Sequence, residues 1–162
     1  MRKSDGGAEH RERDPEPYRT RVLLAEDNDL LRDLFASMLR SEGYEVIRVK
    51  DGSRLLEQIA LARARAEPID LIVSGARMPG RSGLEVLESL RRVDWKTPFV
   101  LMTAYSADQL RAEARRLGAV VVEKPFRLEE LMAVVLRLAP PTGPSSPEAH
   151  PVVLNGRGRQ PR

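Results

Sequence analysis

Five short apolar runs punctuate the chain and constrain its fold more than any other feature: Val22-Leu23-Leu24-Ala25, Glu45 to Val49, Leu71-Ile72-Val73, Phe99-Val100-Leu101-Met102 and Val120-Val121-Val122. All but the second are continuous rather than alternating, the pattern of strands covered on both faces. Between them the apolar residues change to helical spacing. Leu30, Leu31, Leu34, Phe35, Met38 and Leu39 follow the first run; Leu55, Leu56 and Ile59 follow the second; Leu84, Leu87 and Leu90 follow the third. Leu128, Leu131, Met132 and Val135 follow the last. Gly43 and Gly118 stand where helix C-caps are needed. Ser53 is placed to cap the second helix, and Ser82/Glu85 and Ser106/Gln109 have capping-box spacing. Five strand–helix units of this kind predict an α/β fold with one doubly wound parallel sheet.

The flanks differ from this core. Residues 1–19 hold five basic and five acidic side chains with Pro15 and Pro17, and no apolar face that could order them. Residues 140–162 open with Pro140-Pro141-Thr142-Gly143-Pro144 and end with Arg157, Arg159 and Arg162, the composition of an extended, unpacked tail. Val152-Val153-Leu154 is a small apolar island in it. The expected organisation is therefore a charged N-terminal tail (1–19), one domain (20–139) and a Pro/Gly/Arg-rich C-terminal tail (140–162), both tails dispensable for folding. The formal net charge is +3 with a pI near 9.6, but the C-terminal tail holds most of that excess; a nearly neutral domain with a short basic tail is weak evidence for nucleic-acid binding, which usually needs a clustered patch. The chain has no cysteine, which excludes disulfides, thiolate metal sites and cysteine nucleophiles. No apolar run is long enough for a membrane span, and the N-terminus has no signal-peptide pattern, so a cytoplasmic protein is expected.

In an open parallel sheet, function collects at the carboxyl ends of the strands. There the chain carries Glu26-Asp27 after the first run, Gly75-Ala76-Arg77-Met78-Pro79-Gly80 and Gly83 after the third, Thr103-Ala104 after the fourth and Lys124-Pro125-Phe126 after the fifth. Each signal alone is weak. In this order, each at the end of its own strand, they resemble the receiver domains of bacterial response regulators. The resemblance implies a flavodoxin-like (βα)5 fold. It also implies roles: Glu26 and Asp27 match the acidic pair that helps hold Mg²⁺, Thr103 the hydroxyl and Lys124 the lysine that contact a phosphoryl group. Lys124–Pro125 matches the family's cis peptide. Such sites transfer phosphate to a carboxylate, with hard oxygen ligands around Mg²⁺ and a lysine offsetting the moving charge.

The chain departs from that pattern twice. The family's acceptor aspartate lies three residues before the Met of the Met-Pro turn, and here that position is Gly75. Ser74 points to the other face and Asp70 lies at the opposite end of the strand, so neither substitutes for it. The aromatic switch residue three positions before the lysine is Val121, which cannot act as a rotating ring. With the acceptor missing, Lys124 is expected to lean on Glu26 or Asp27, and Mg²⁺ binding is expected to be weak or vestigial, with no cofactor required.

The expected function is that of a degenerate pseudo-receiver, not an enzyme, acting in two-component or phosphorelay signalling through phosphorylation-independent protein contacts. Its partner would be a sensor kinase, another receiver or an output protein, met on a basic face made by Arg111, Arg115, Arg116 and Arg127. Tyr105 reads as a surface residue. Two alternatives remain: a receiver phosphorylated at another acceptor, and nucleic-acid binding through Arg157-Gly158-Arg159. A nucleotide-binding enzyme is disfavoured, since Glu26-Asp27 stands where a phosphate loop would be.

Overall fold

In the computed structural model, residues 16–104 and 108–144 are described. Five strands and five helices alternate: β1 (Arg21–Ala25), α1 (Asp29–Ser41), β2 (Glu45–Val49), α2 (Gly52–Ala64), β3 (Leu71–Gly75), α3 (Gly83–Arg92), β4 (Phe99–Ala104), α4 (Asp108–Arg116), β5 (Val120–Lys124) and α5 (Leu128–Leu138). The strands form one sheet in the order β2-β1-β3-β4-β5, and every pairing is parallel. The order reverses between β1 and β3, the switch point at which such sheets open a crevice.

Strand alternation divides the interior into two cores. Val22, Leu24, Leu71, Val73, Val100 and Met102 face α1 and α5, where Phe35, Leu39, Leu131 and Val135 meet them. Leu23, Ala25, Ile72, Phe99 and Leu101 face α2, α3 and α4, against Leu55, Ile59, Val86, Leu87 and Ala114. Both faces of the sheet are covered, which is why its strands read as continuous apolar runs.

Four helices end in the same way. In each, the residue two positions past the last helical one has positive φ, and two backbone bonds close the end in a Schellman pattern. Gly43 and Gly118 do this as expected, with Tyr44 N–H donating to the Leu39 carbonyl and Ala119 N–H to the Ala114 carbonyl. Ala66 (φ 53°) and Asp94 (φ 56°) do the same for α2 and α3 without glycine's freedom.

One expectation changes here. Asp51, not Ser53, caps α2, its side chain accepting from Arg54 N–H at 2.8 Å. Gly52 opens that helix because a Cβ there would overlap the Arg81 carbonyl oxygen. The domain edges at 20 and 139 fall inside a hydrogen-bond network. Thr142 Oγ1 accepts from Thr20 N–H at 3.0 Å and donates to the Tyr18 carbonyl at 2.8 Å, while Thr20 Oγ1 donates to the Pro140 carbonyl at 2.7 Å. Tyr18 donates its hydroxyl to Asp70. The segments 18–20 and 140–142 thus meet through hydrogen bonds at the amino end of β1. Ser106 and Tyr105 lie outside the described residues, as do residues 1–15 and 145–162.

Candidate functional site

Side chains at the carboxyl ends of β1, β3 and β5 share the α1/α5 side of the sheet, because Glu26, Gly75 and Lys124 continue the alternation of Leu24, Val73 and Val122. Glu26 is 1% exposed, yet Asp27 beside it is exposed to solvent. Glu26 Oε1 accepts from Asn28 N–H at 3.2 Å, and Oε2 lies 3.4 Å from Lys124 Nζ. Burial pushes the Glu26 carboxyl above the usual carboxylate range, and the neighbouring Asp27 adds to the rise; the Asn28 N–H and the Lys124 ammonium pull against it. Of the two acids, Lys124 therefore leans on Glu26.

The loop carrying the acids is held by residues that sequence reasoning passed over. Asn28 caps α1, its Oδ1 accepting from Leu31 N–H at 3.1 Å. Arg32 donates from Nη1 to the Glu26 carbonyl at 2.9 Å and pairs with Asp29. The signal was available: an Asn immediately before an apolar-periodic stretch is an N-cap pattern.

Gly75 is buried at the end of β3 and does not have positive φ. A Cβ built there would stand 3.4 Å from Glu26 Oε2 and 3.7 Å from both the Arg77 carbonyl oxygen and Met78 Cγ, which is ordinary contact. Neither space nor backbone conformation therefore requires glycine at this position. Gly83 is the opposite case, since a Cβ there would overlap the Gly75 carbonyl oxygen. Ser74 is fully buried on the other face, where its hydroxyl donates to the Gly75 carbonyl at 3.0 Å.

Thr103 is buried at the end of β4, its hydroxyl only 3.4 Å from the Ala104 carbonyl. Lys124 ends β5 opposite Ala104, and its bond to Pro125 is cis. Val121 is half-buried on the edge strand β5 and packs against the α2–α4 core.

The donors at this site decide how well it suits Mg²⁺. Among the described residues no three Asp, Glu or His side chains converge as a metal group would need. One carboxylate oxygen of the buried acid already faces Lys124, and Gly75 offers no side-chain oxygen. Mg²⁺ requires a near-octahedral set of hard oxygens. Two side-chain acids, one of them engaged by a lysine, do not supply a tight site.

Two arginines of the anticipated basic face have acid partners. Arg111 is paired with both Asp108 and Glu123, and Arg116 is paired with Glu113 at 2.5 Å. Arg115 and Arg127 are exposed. Acids thus stand among the arginines of this surface.

Comparison with known proteins agrees with this geometry. The response regulator receiver domain family matches residues 22–136. The response regulator protein FleR of Pseudomonas aeruginosa is 35% identical over 141 residues, covering 86% of this chain and 29% of that protein. The transcriptional regulatory protein PdtaR of Mycobacterium tuberculosis is 34% identical over 119 residues, covering 71% of this chain and 54% of its own length. This chain thus spans about half or less of these curated relatives. Among solved structures, the chemotaxis response regulator CheY4 of Vibrio cholerae superposes with a TM-score of 0.62 at 28% identity, covering 74% of this chain and 98% of that one. Fold, strand-end residues and sequence similarity agree, and the chain belongs to the response regulator receiver domain family.

Proposed function

We propose that this chain is a receiver module that signals by protein contact without being phosphorylated at its active end. The observation that carries this reading is Gly75 at the end of β3, beside the Glu26 carboxylate that Lys124 meets, where a receiver's acceptor carboxylate would stand. The Lys124–Glu26 pair supports it. The ammonium that would otherwise meet an incoming phosphoryl group is already compensated by a buried acid on β1's loop, so the ends of β1 and β5 are tied without a ligand. Val121 supports it further, since a half-buried valine has no ring to carry a change at Thr103 to the α4/β5 surface. The partner would be a sensor kinase, a second receiver or an output protein.

The test is incubation of the full chain with acetyl phosphate and Mg²⁺, read by intact mass. No added phosphoryl group is expected. A hydroxylamine-labile phosphoryl adduct would overturn the reading and establish an alternative acceptor.

A further inference from the structure

The outer side of the α1/α5 layer is an open apolar groove. Its upper part, about 340 Å³, is lined by Leu31, Leu34, Phe35, Pro125, Phe126 and Leu128. Its lower part, about 360 Å³, continues over Leu128 to Met38, Met132, Ala133 and Leu136. Leu34 is 48% exposed and Leu136 37%, so leucines from both helices stand open to solvent along one seam. Such a seam marks a surface made to be covered.

The described chain ends at the foot of this groove. Gly143 and Pro144 pass directly over Gly43, which follows the last turn of α1. Beyond Pro144 the sequence offers one apolar cluster, Val152-Val153-Leu154, then Arg157, Arg159 and Arg162. Eight extended steps from Pro144 to Val152 span up to about 26 Å. The 13 residues of α1 are about 20 Å long. The cluster can therefore reach any point of the seam, and the arginines after it reach the upper end. There Glu129 and Glu130 stand exposed in the first turn of α5.

We propose that the segment Pro151–Leu154 of this same chain occupies the α1/α5 groove and covers it until a partner displaces it. A linker this short holds the segment at an effective concentration in the millimolar range, so a contact with a dissociation constant of only about 1 mM is half occupied. That is enough to screen the face from weak encounters, and weak enough for a specific partner to win. Occupation of the groove does not depend on whether Gly75 replaces an acceptor.

The absence of cysteine allows a single-site test in the full chain. A nitroxide on Gly156→Cys is expected to broaden the amide signals of Leu34, Met38, Met132 and Leu136 severalfold more than those of Arg54 and Leu90 on the opposite layer. Adding Val153→Asp and Leu154→Asp, which lie outside the domain and leave its core intact, should abolish the difference. Equal broadening of both layers, or broadening that survives the charged variant, overturns the proposal. So does broadening that passes from a labelled chain to an unlabelled, isotope-enriched one in a mixture, which would make a second copy the occupant.

Discussion

Replacing Gly75 with Asp tests the reading of the site most directly, because the structure separates its steric cost from its electrostatic cost. The steric cost is small: the added Cβ meets Glu26 Oε2 at 3.4 Å and nothing nearer, and the backbone there is not left-handed. The electrostatic cost is not small. A carboxylate about 4–5 Å from that of Glu26 repels it by roughly 4 kcal/mol at an effective dielectric of about 20. Lys124, 3.4 Å from Glu26, offsets much of this, leaving a net loss of about 1–2 kcal/mol in metal-free buffer. For a domain of this size that lowers Tm by roughly 4–8 °C. Gly75→Asn is the control: it has the same shape and the same loss of glycine's unfolded-state freedom without the charge. The Asp–Asn difference should also depend on pH. Each like-charged carboxylate raises the other's folded pKa, so the penalty is absent below the unfolded carboxylate range and grows as pH rises through the folded values. Mg²⁺ should reverse the loss in the Asp variant alone, by about 2.7 kcal/mol at one hundred times its dissociation constant. With Thr103 and Lys124 already in place, the Asp variant should then accept phosphate slowly from acetyl phosphate, read by intact mass. If the Asp and Asn variants melt together in chelator and neither responds to Mg²⁺, the assignment of Gly75 to the acceptor position is refuted.

Three further outcomes follow from the geometry. Glu26→Gln should stabilise the metal-free protein at neutral pH: burial holds the Glu26 carboxyl above its unfolded pKa, so its contribution is favourable below that pKa and is lost as pH rises. Denaturant midpoints should show the gain at pH 7 and none at pH 4, and a loss at pH 7 would mean that the pair with Lys124 outweighs burial. Ala66→Gly should raise stability by about 0.5–1 kcal/mol, because Ala66 closes α2 at φ 53°, where a Cβ is penalised; an unchanged or lower Tm contradicts this. A chain ending at Ala139 should be about 1–2 kcal/mol less stable than one ending at Pro144, since it leaves Thr20 N–H and the Tyr18 carbonyl without Thr142. Equal urea midpoints for the two would return the domain edge to 139.

Much of this molecule was legible before any coordinates. Five apolar runs at strand length, four of them continuous and all separated by helical periodicity, admit few arrangements other than a parallel sheet covered on both sides, because burial on two faces is what such runs satisfy. Glu26, Gly75, Thr103 and Lys124 could be placed near strand ends, since each lies one or two residues past the end of its run. Other features depend on partners distant in sequence. That Lys124 chooses Glu26 over Asp27 is settled by β1 and β5 ending on the same side of the sheet, with Glu26 turned inward and Asp27 outward. Arg111 of the anticipated basic face meets Glu123 on the neighbouring strand, a pairing created by α4 packing on β5. Ala66 and Asp94 ended helices without the glycine that would have announced them, because packing can impose a left-handed residue that local preference would refuse. Thr142 joined the domain through Thr20, 122 residues away. Local periodicity determines which segments become strands and helices; only the folded chain decides which charges, caps and ends meet, because those energies arise between residues that sequence order keeps apart.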